Sequence, residues 1–143
     1  MNTAFSNVVA AVIAALQAEP PVCTTLYRAR TRDVPEQTDE AVNVQFEAAM
    51  PQMGSIQGAP IDWVSRVSVE CYVRSKRDSG DIAVDPLFKK VYERIGQDST
   101  LGGLVDDIAI QSIEAENSAE GTKTGWVRLM YMVQHRTSNQ TLD

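Results

Sequence analysis

The chain has 143 residues, with 13 Lys and Arg against 19 Asp and Glu, which gives a formal net charge of −6 and a pI near 4.7. This length predicts one domain whose core is large enough to need neither a metal nor a disulfide. Because nucleic-acid binding depends on clustered Lys and Arg, the negative balance argues against it as the main function. With one histidine and two cysteines, few side chains are available for catalysis or metal binding. We expect no cofactor.

The first predicted element is a helix that begins near Ser6 and ends before Pro20-Pro21. Val9, Val12 and Leu16 fall at helical spacing, and the two prolines cannot continue the hydrogen-bond ladder. The apolar run over 8–16 has the length of a signal-peptide core. Because no Lys or Arg precedes it, we favour a structured helix.

Three strands are predicted next, over 22–29, 42–46 and 64–73. The third is the clearest, because apolar and polar side chains alternate along it. The segment 48–60 has no periodicity and predicts a mobile loop, and a second mobile loop is expected near 74–85.

A second helix is predicted over 86–96, with Pro86 in its first turn, followed by a turn over 97–103. Strands over 108–115 and 126–136 complete the chain, and the polar tail from about 137 is expected to fray. The order α-β-β-β-α-β-β predicts an α+β fold. It has a mostly antiparallel sheet of about five strands and two helices, in a single domain over 1–143.

Catalytic or metal-binding residues are not evident. The single imidazole, His135, lies near the end of a predicted strand with no nucleophile motif nearby, so it is interpreted as a partly buried strand residue. Asp106-Asp107 lacks the spacing of zinc or EF-hand sites. The acidic segment 33–40 could hold calcium weakly, but it is interpreted as a solvated loop. We therefore expect no enzyme activity and no bound metal.

Two patterns indicate contact with other molecules. Arg28, Arg30 and Arg32 recur at every second residue, so an extended chain would project them from one side toward phosphates or carboxylates. A solvated edge that discourages edge pairing is an equal alternative. In the last strand, the face opposite the predicted core carries Trp126, Arg128, Met130 and Met132. Either this face is a protein interface or the two helices pack on opposite sides of the sheet.

The chain resembles the tail terminator proteins of long-tailed bacteriophages over nearly its whole length. The resemblance includes the opening helix, the irregular segment near 50–60 and the long third strand that leads into a helix. Its most specific part is the turn Asp98-Ser99-Thr100-Leu101-Gly102-Gly103 after the second helix.

The resemblance implies a structural protein of the virion tail, assembled in the host cytoplasm. Its copies would form a hexameric ring on the head-proximal end of the tail tube, where the ring ends polymerisation and joins the head–tail connector. The partners implied are other copies, the tail tube protein, the connector protein and, in a contractile tail, the sheath protein. No membrane is implied, and DNA would only pass through the lumen. In such a ring, the arginines would face the acidic 33–40 segment or Asp106-Asp107 of a neighbouring copy.

Two other functions stay open at this stage. One is a different neck protein of the same virion, such as a connector stopper. The other is a small module that binds a ligand or peptide on the Trp126, Met130 and Met132 face.

Overall fold

The computed structural model describes residues 2–30, 34–35, 38–52, 59–118 and 123–143, with backbone alone at 117, 118 and 123. Within these ranges the strands form one mixed sheet of order β1-β2-β3-β5-β4, in which only β1 and β2 are parallel. The predicted α+β fold and its element order are confirmed. The elements are α1 Ala4–Gln17, β1 Leu26–Arg28, β2 Glu40–Pro51, β3 Ile61–Ser75, α2 Gly80–Gly96, β4 Asp107–Ser118 and β5 Lys123–Thr137.

Both helices cover the same face of the sheet. The ring of Phe5 on α1 lies 5.2 Å from that of Trp63 on β3 and 5.1 Å from that of His135 on β5. The N-terminal end of α2 lies against the backbone of Gly125, which is on the same face of β5 as His135. The arrangement with helices on opposite faces is therefore wrong. The fully buried core includes Val8, Val12, Leu16, Val67, Val69, Cys71, Val91, Ile95, Leu129 and Val133.

The helix α2 begins at Gly80, six residues before the predicted start, so the mobile loop expected near 74–85 is wrong for most of its length. Arg74 and Ser75 belong to β3, and only 76–79 connects the two elements. Pro86 lies inside the helix, where it removes one backbone hydrogen bond. At the first position of the helix, Gly80 has no Cβ and packs directly on the backbone of Thr124 and Gly125.

The strand β2 extends to Pro51, so the loop expected over 48–60 is wrong over 48–51. A β-bulge between Phe46 and Ala48 shifts the register. It interrupts the alternation of buried and exposed side chains, so the pattern does not predict that the strand continues beyond Phe46. Residues 53–58 of that expected loop lie outside the described residues.

Two further boundaries differ from the sequence predictions. β1 has three residues, because Ala29 adopts a left-handed backbone conformation (φ 52°) that ends the strand. The tail does not fray at 137: Thr137 is buried in β5, and the N–H of Ala4 donates to the carbonyl of Leu142 at 2.7 Å. Cys23 and Cys71 are buried free thiols.

Candidate interaction surface

The face of the sheet opposite the helices is here called the open face. On β5 it carries Trp126, Arg128, Met130 and Met132, which alternate with the buried side chains that face the helices. All four are half-buried. Strand alternation predicted that these residues share one face, and in the structure they lie on the same face of β5.

The apolar side chains form a stripe along β5 on the open face. In the pairing register, Met130 lies between Ser68 of β3 and Ser112 of β4. Along this face of β5, Met132 is the next side chain after Met130. Trp126 comes before Met130, with Arg128 between them. Within the described ranges, neither helix covers this stripe. Trp, Met and Arg are enriched in protein interfaces, so its composition fits a contact surface.

A polar cluster borders the stripe and spans three strands. Glu47 of β2 accepts hydrogen bonds at Oε1 from Gln45 and Ser68, each 2.8 Å long. The same oxygen accepts a 2.7 Å bond from Nη2 of Arg128 on β5, and both side chains of this ion pair are about a quarter exposed. The charge of Arg128 is therefore satisfied within the subunit.

Partial burial acts to raise the pKa of Glu47, but other effects outweigh it. The hydrogen bonds from Ser68 and Gln45, together with the charge of Arg128, hold that pKa below its ordinary value. Glu47 is therefore ionised at neutral pH and acts as a fixed anchor for Arg128. Glu47 was not predicted from the sequence as a functional residue. It follows the alternating Val44 and Phe46, so the pattern indicates only a polar strand residue.

The expected arginine stripe is wrong. Arg28 donates to the carbonyl and hydroxyl oxygens of Ser6 on α1, at 3.0 and 2.7 Å, so it turns toward the helices. The guanidinium of Arg30 lies 4.4 Å above the ring of Tyr27, which is on the open face of β1. The left-handed conformation of Ala29 ends the extended chain between the two arginines, so they do not share one side. Arg32 lies outside the described residues.

Asp106 and Asp107 are exposed at the start of β4, the strand at the opposite edge of the sheet from β1. The structure therefore does not bring them near Arg28 within one subunit. Asp106 borders a small cavity of about 130 Å³, together with the exposed ion pair between Asp62 and Arg136 (2.8 Å).

The turn after α2 is held by one carboxylate. Asp98 accepts hydrogen bonds from the backbone N–H and the hydroxyl of Thr100, at 3.0 and 2.9 Å, and from the N–H of Gly102 at 2.7 Å. These bonds, with that of the Thr100 hydroxyl the strongest influence, lower the pKa of Asp98. Gly102 and Gly103 have φ values of 73° and 88°, which L side chains rarely adopt.

His135 is a core residue rather than an exposed base. Its Nε2 lies 2.7 Å from the hydroxyl of Ser65, and these residues are 3% and 1% exposed. Burial lowers the pKa of His135, and the nearby charge of Asp106 offsets part of that effect. The ring of Phe5 on α1 packs edge-on against the imidazole of His135 at 5.1 Å.

A second surface was not predicted from the sequence. A groove of about 630 Å³ runs between the start of α1 and the edge of β2. Phe46 is 42% exposed in this groove, because β1 is too short to extend beside it. The remaining apolar lining comes from Phe5, Val9, Ala49 and Leu142.

Neither metal-binding clusters nor membrane spans are found in the part of the chain that the structure describes. No three His, Cys, Asp or Glu side chains converge there, and no helix there is long and apolar enough to cross a membrane. No protein-family model matches the chain, and no curated protein matches it either.

Proposed function

We propose that the protein is a phage tail terminator. Its copies form a ring on the head-proximal end of the tail tube, end tube polymerisation and provide the surface that joins the head. The observation that carries the proposal is the apolar stripe of Trp126, Met130 and Met132 on an open face that neither helix covers within the described residues. That the partners are components of a phage tail is inferred from the resemblance in element order and in the turn from Asp98 to Gly103.

The electrostatics of the chain fit a ring through which DNA passes. A net charge of −6 is repeated in every copy, and DNA is repelled by such a wall rather than retained on it. A closed ring also needs two different complementary surfaces on each copy. The two sheet edges, at β2 and at the acidic strand β4, are different surfaces of each copy and leave the apolar stripe on the open face for the tail tube.

Tail length in phage particles tests the proposal. Without this protein, tubes should grow beyond their normal length, as seen by electron microscopy, and the wild-type chain should restore that length. Met130→Lys should fail to restore it, because it places a charge in the stripe. Gln134→Lys is the matched control, because Gln134 is an exposed residue of the same strand and face. Normal tails in the absence of the protein would contradict the proposal.

A connector stopper is the nearest alternative, and the same experiment separates the two. Loss of a stopper leaves tails of normal length and heads that leak DNA.

A peptide-binding module is the second alternative, and the groove beside Phe46 favours it. The groove volume of about 630 Å³ lies within the range of ordinary ligand sites. A chain that stays monomeric at high concentration and binds a peptide saturably would support this function over the terminator.

A further inference from the structure

Within the described residues, both edges of the sheet present unpaired backbone. The short strand β1 pairs with β2 only as far as Val44, whose carbonyl accepts the N–H of Ala29 at 2.9 Å. Along 45–51, the described residues offer β2 no partner on that side. At the other edge, β4 pairs with β5 alone within the described ranges. Unpaired edges of this length are templates for an additional strand.

Each edge also leaves one large apolar side chain uncovered on the helix-bearing face. Phe46 on β2 is 42% exposed, and Ile113 on β4 is 49% exposed. Their partners in the pairing register, Val67 and Leu129, are fully buried under the helices. A strand added beside either residue would therefore extend the existing core rather than start a separate one.

The β4 edge is acidic, whereas the chain next to the free edge of β2 is basic. The charged residue on that free edge, Glu47, is already paired with Arg128. β4 carries Asp107, Glu114 and Glu116 and no Lys or Arg, and the described residues contain no ion pair to these acids. The segment 22–30 that leads through β1 carries Arg28 and Arg30 and no acid. Two copies joined by β4 against β4 would place like charges opposite each other, which is destabilising. Joining unlike edges avoids that repulsion.

We propose that β4 of one copy adds to the free edge of β2, over 45–51, in the next copy. Ile113 then closes the groove beside Phe46 on the helix-bearing face. The acids of β4 lie on the open face, next to the end of β1 where Arg30 stacks on Tyr27. The contact is heterologous, because each copy binds one neighbour through its β4 edge and the other neighbour through its β2 edge. Such contacts form a closed ring when the rotation between successive copies adds up to a full turn. This inference rests on the ring of the proposed function and names the surfaces that build it.

Disulfide trapping tests the pairing directly. Ala48→Cys and Ser112→Cys place thiols on exposed open-face positions of β2 and β4. The native Cys23 and Cys71 are 5% and 0% exposed and do not compete. A mixture of the two variants, alone and with tail tubes, should give cross-linked dimers of twice the 15.7 kDa chain mass, whereas each variant alone should not. Cross-linking of Ser112→Cys with itself, or no cross-link in the mixture, would overturn the inference.

A second variant pair separates this inference from the proposed function. Ile113→Lys should reduce the mass measured by light scattering to that of one chain, and Ile82→Lys, at a 60% exposed position on α2, should not. If tails lacking the protein are overlong but Ile113→Lys still associates, the edge pairing is wrong and the terminator function stands. If the cross-link forms but those tails have normal length, the pairing stands and the terminator function is wrong.

Discussion

Glu47 and Arg128 form a 2.7 Å ion pair that joins two strands across a third. Glu47 is on β2 and Arg128 on β5, and Ser68 of the intervening strand β3 donates to the same carboxylate oxygen. The pair fixes the polar part of the open face beside the apolar stripe. The open face therefore carries this ion pair, in addition to that of Asp62 with Arg136, beside the apolar side chains of the stripe.

Glu47→Gln should lower the free energy of unfolding by about 1–3 kcal/mol, because it leaves the half-buried guanidinium of Arg128 without its counter-charge. Urea unfolding at pH 7 measures the change. Glu93→Gln is the matched control: it breaks the ion pair with Lys89, whose side chains are 62% and 71% exposed, and should cost no more than about 0.5 kcal/mol. Equal losses in the two variants would contradict the anchoring role of Glu47.

The same pair predicts an acid dependence. Because the pKa of Glu47 is lower in the folded protein than in the unfolded chain, its stabilisation is complete above the unfolded pKa and disappears as the pH falls through the folded pKa. The stability difference between wild type and Glu47→Gln should therefore shrink as the pH falls below about 4. A difference that stays constant to the lowest pH at which the protein folds would exclude this linkage.

Because of His135, the protein should lose stability as the pH falls from neutral to about 5.5. The folded pKa of His135 is depressed by burial, so the unfolded chain binds a proton that the folded protein does not, and stability rises with pH in this window. The slope is at most about 1.4 kcal/mol per pH unit for one proton. His135→Gln, which keeps a hydrogen-bonding group near Ser65, should flatten this slope in chemical unfolding at several pH values. A slope unchanged by the substitution would assign the dependence to other groups.

Gly125→Ala should destabilise the protein by about 1–3 kcal/mol or more, because a Cβ at this position overlaps the backbone of Gly80 in α2. Gly96→Ala is the control, because a Cβ there meets nothing within 4 Å. Gly96 is the last residue of α2, so alanine there should be neutral or stabilising by up to about 1 kcal/mol. Thermal unfolding compares the two. A neutral Gly125→Ala would mean that α2 does not pack on β5 as described.

Adjacent residues of β5 should respond differently to truncation. Leu129 is fully buried under the helices, so Leu129→Ala should cost about 2–5 kcal/mol. Met130 is half-buried on the open face, and Met130→Ala should cost the isolated chain clearly less. If the two unfolding free energies fall equally, the open face is covered within the subunit, and the proposed interface is wrong.

The sequence predicted the element order and the buried faces because strand alternation and helical spacing are strong local signals. Val67, Val69 and Cys71 show this on β3: all three are 0% exposed. It failed where tertiary contacts override local preferences. Pro86 marks a helix start in sequence, but the contact of Gly80 with Gly125 starts α2 earlier.

The site was predicted only in part, for similar reasons. The grouping of Trp126, Met130 and Met132 follows from strand periodicity alone. The arginine stripe failed because one residue, Ala29, leaves the extended conformation, which no spacing rule indicates. The partner of Arg128 was missed because Glu47 is distant in sequence, and the bulge after Phe46 hides where β2 continues.

Fluorescence of Trp126 gives the most direct test that the apolar stripe is covered by assembly. Trp63→Phe leaves Trp126 as the single tryptophan, and Trp126 lies in the stripe. Its emission is measured over increasing protein concentration, and then with tail tubes added. We predict a shift to shorter wavelength on association or on tube binding, and no shift when Met130→Lys is added to the same chain. Emission that stays at the wavelength of the dilute protein under all these conditions would contradict the account.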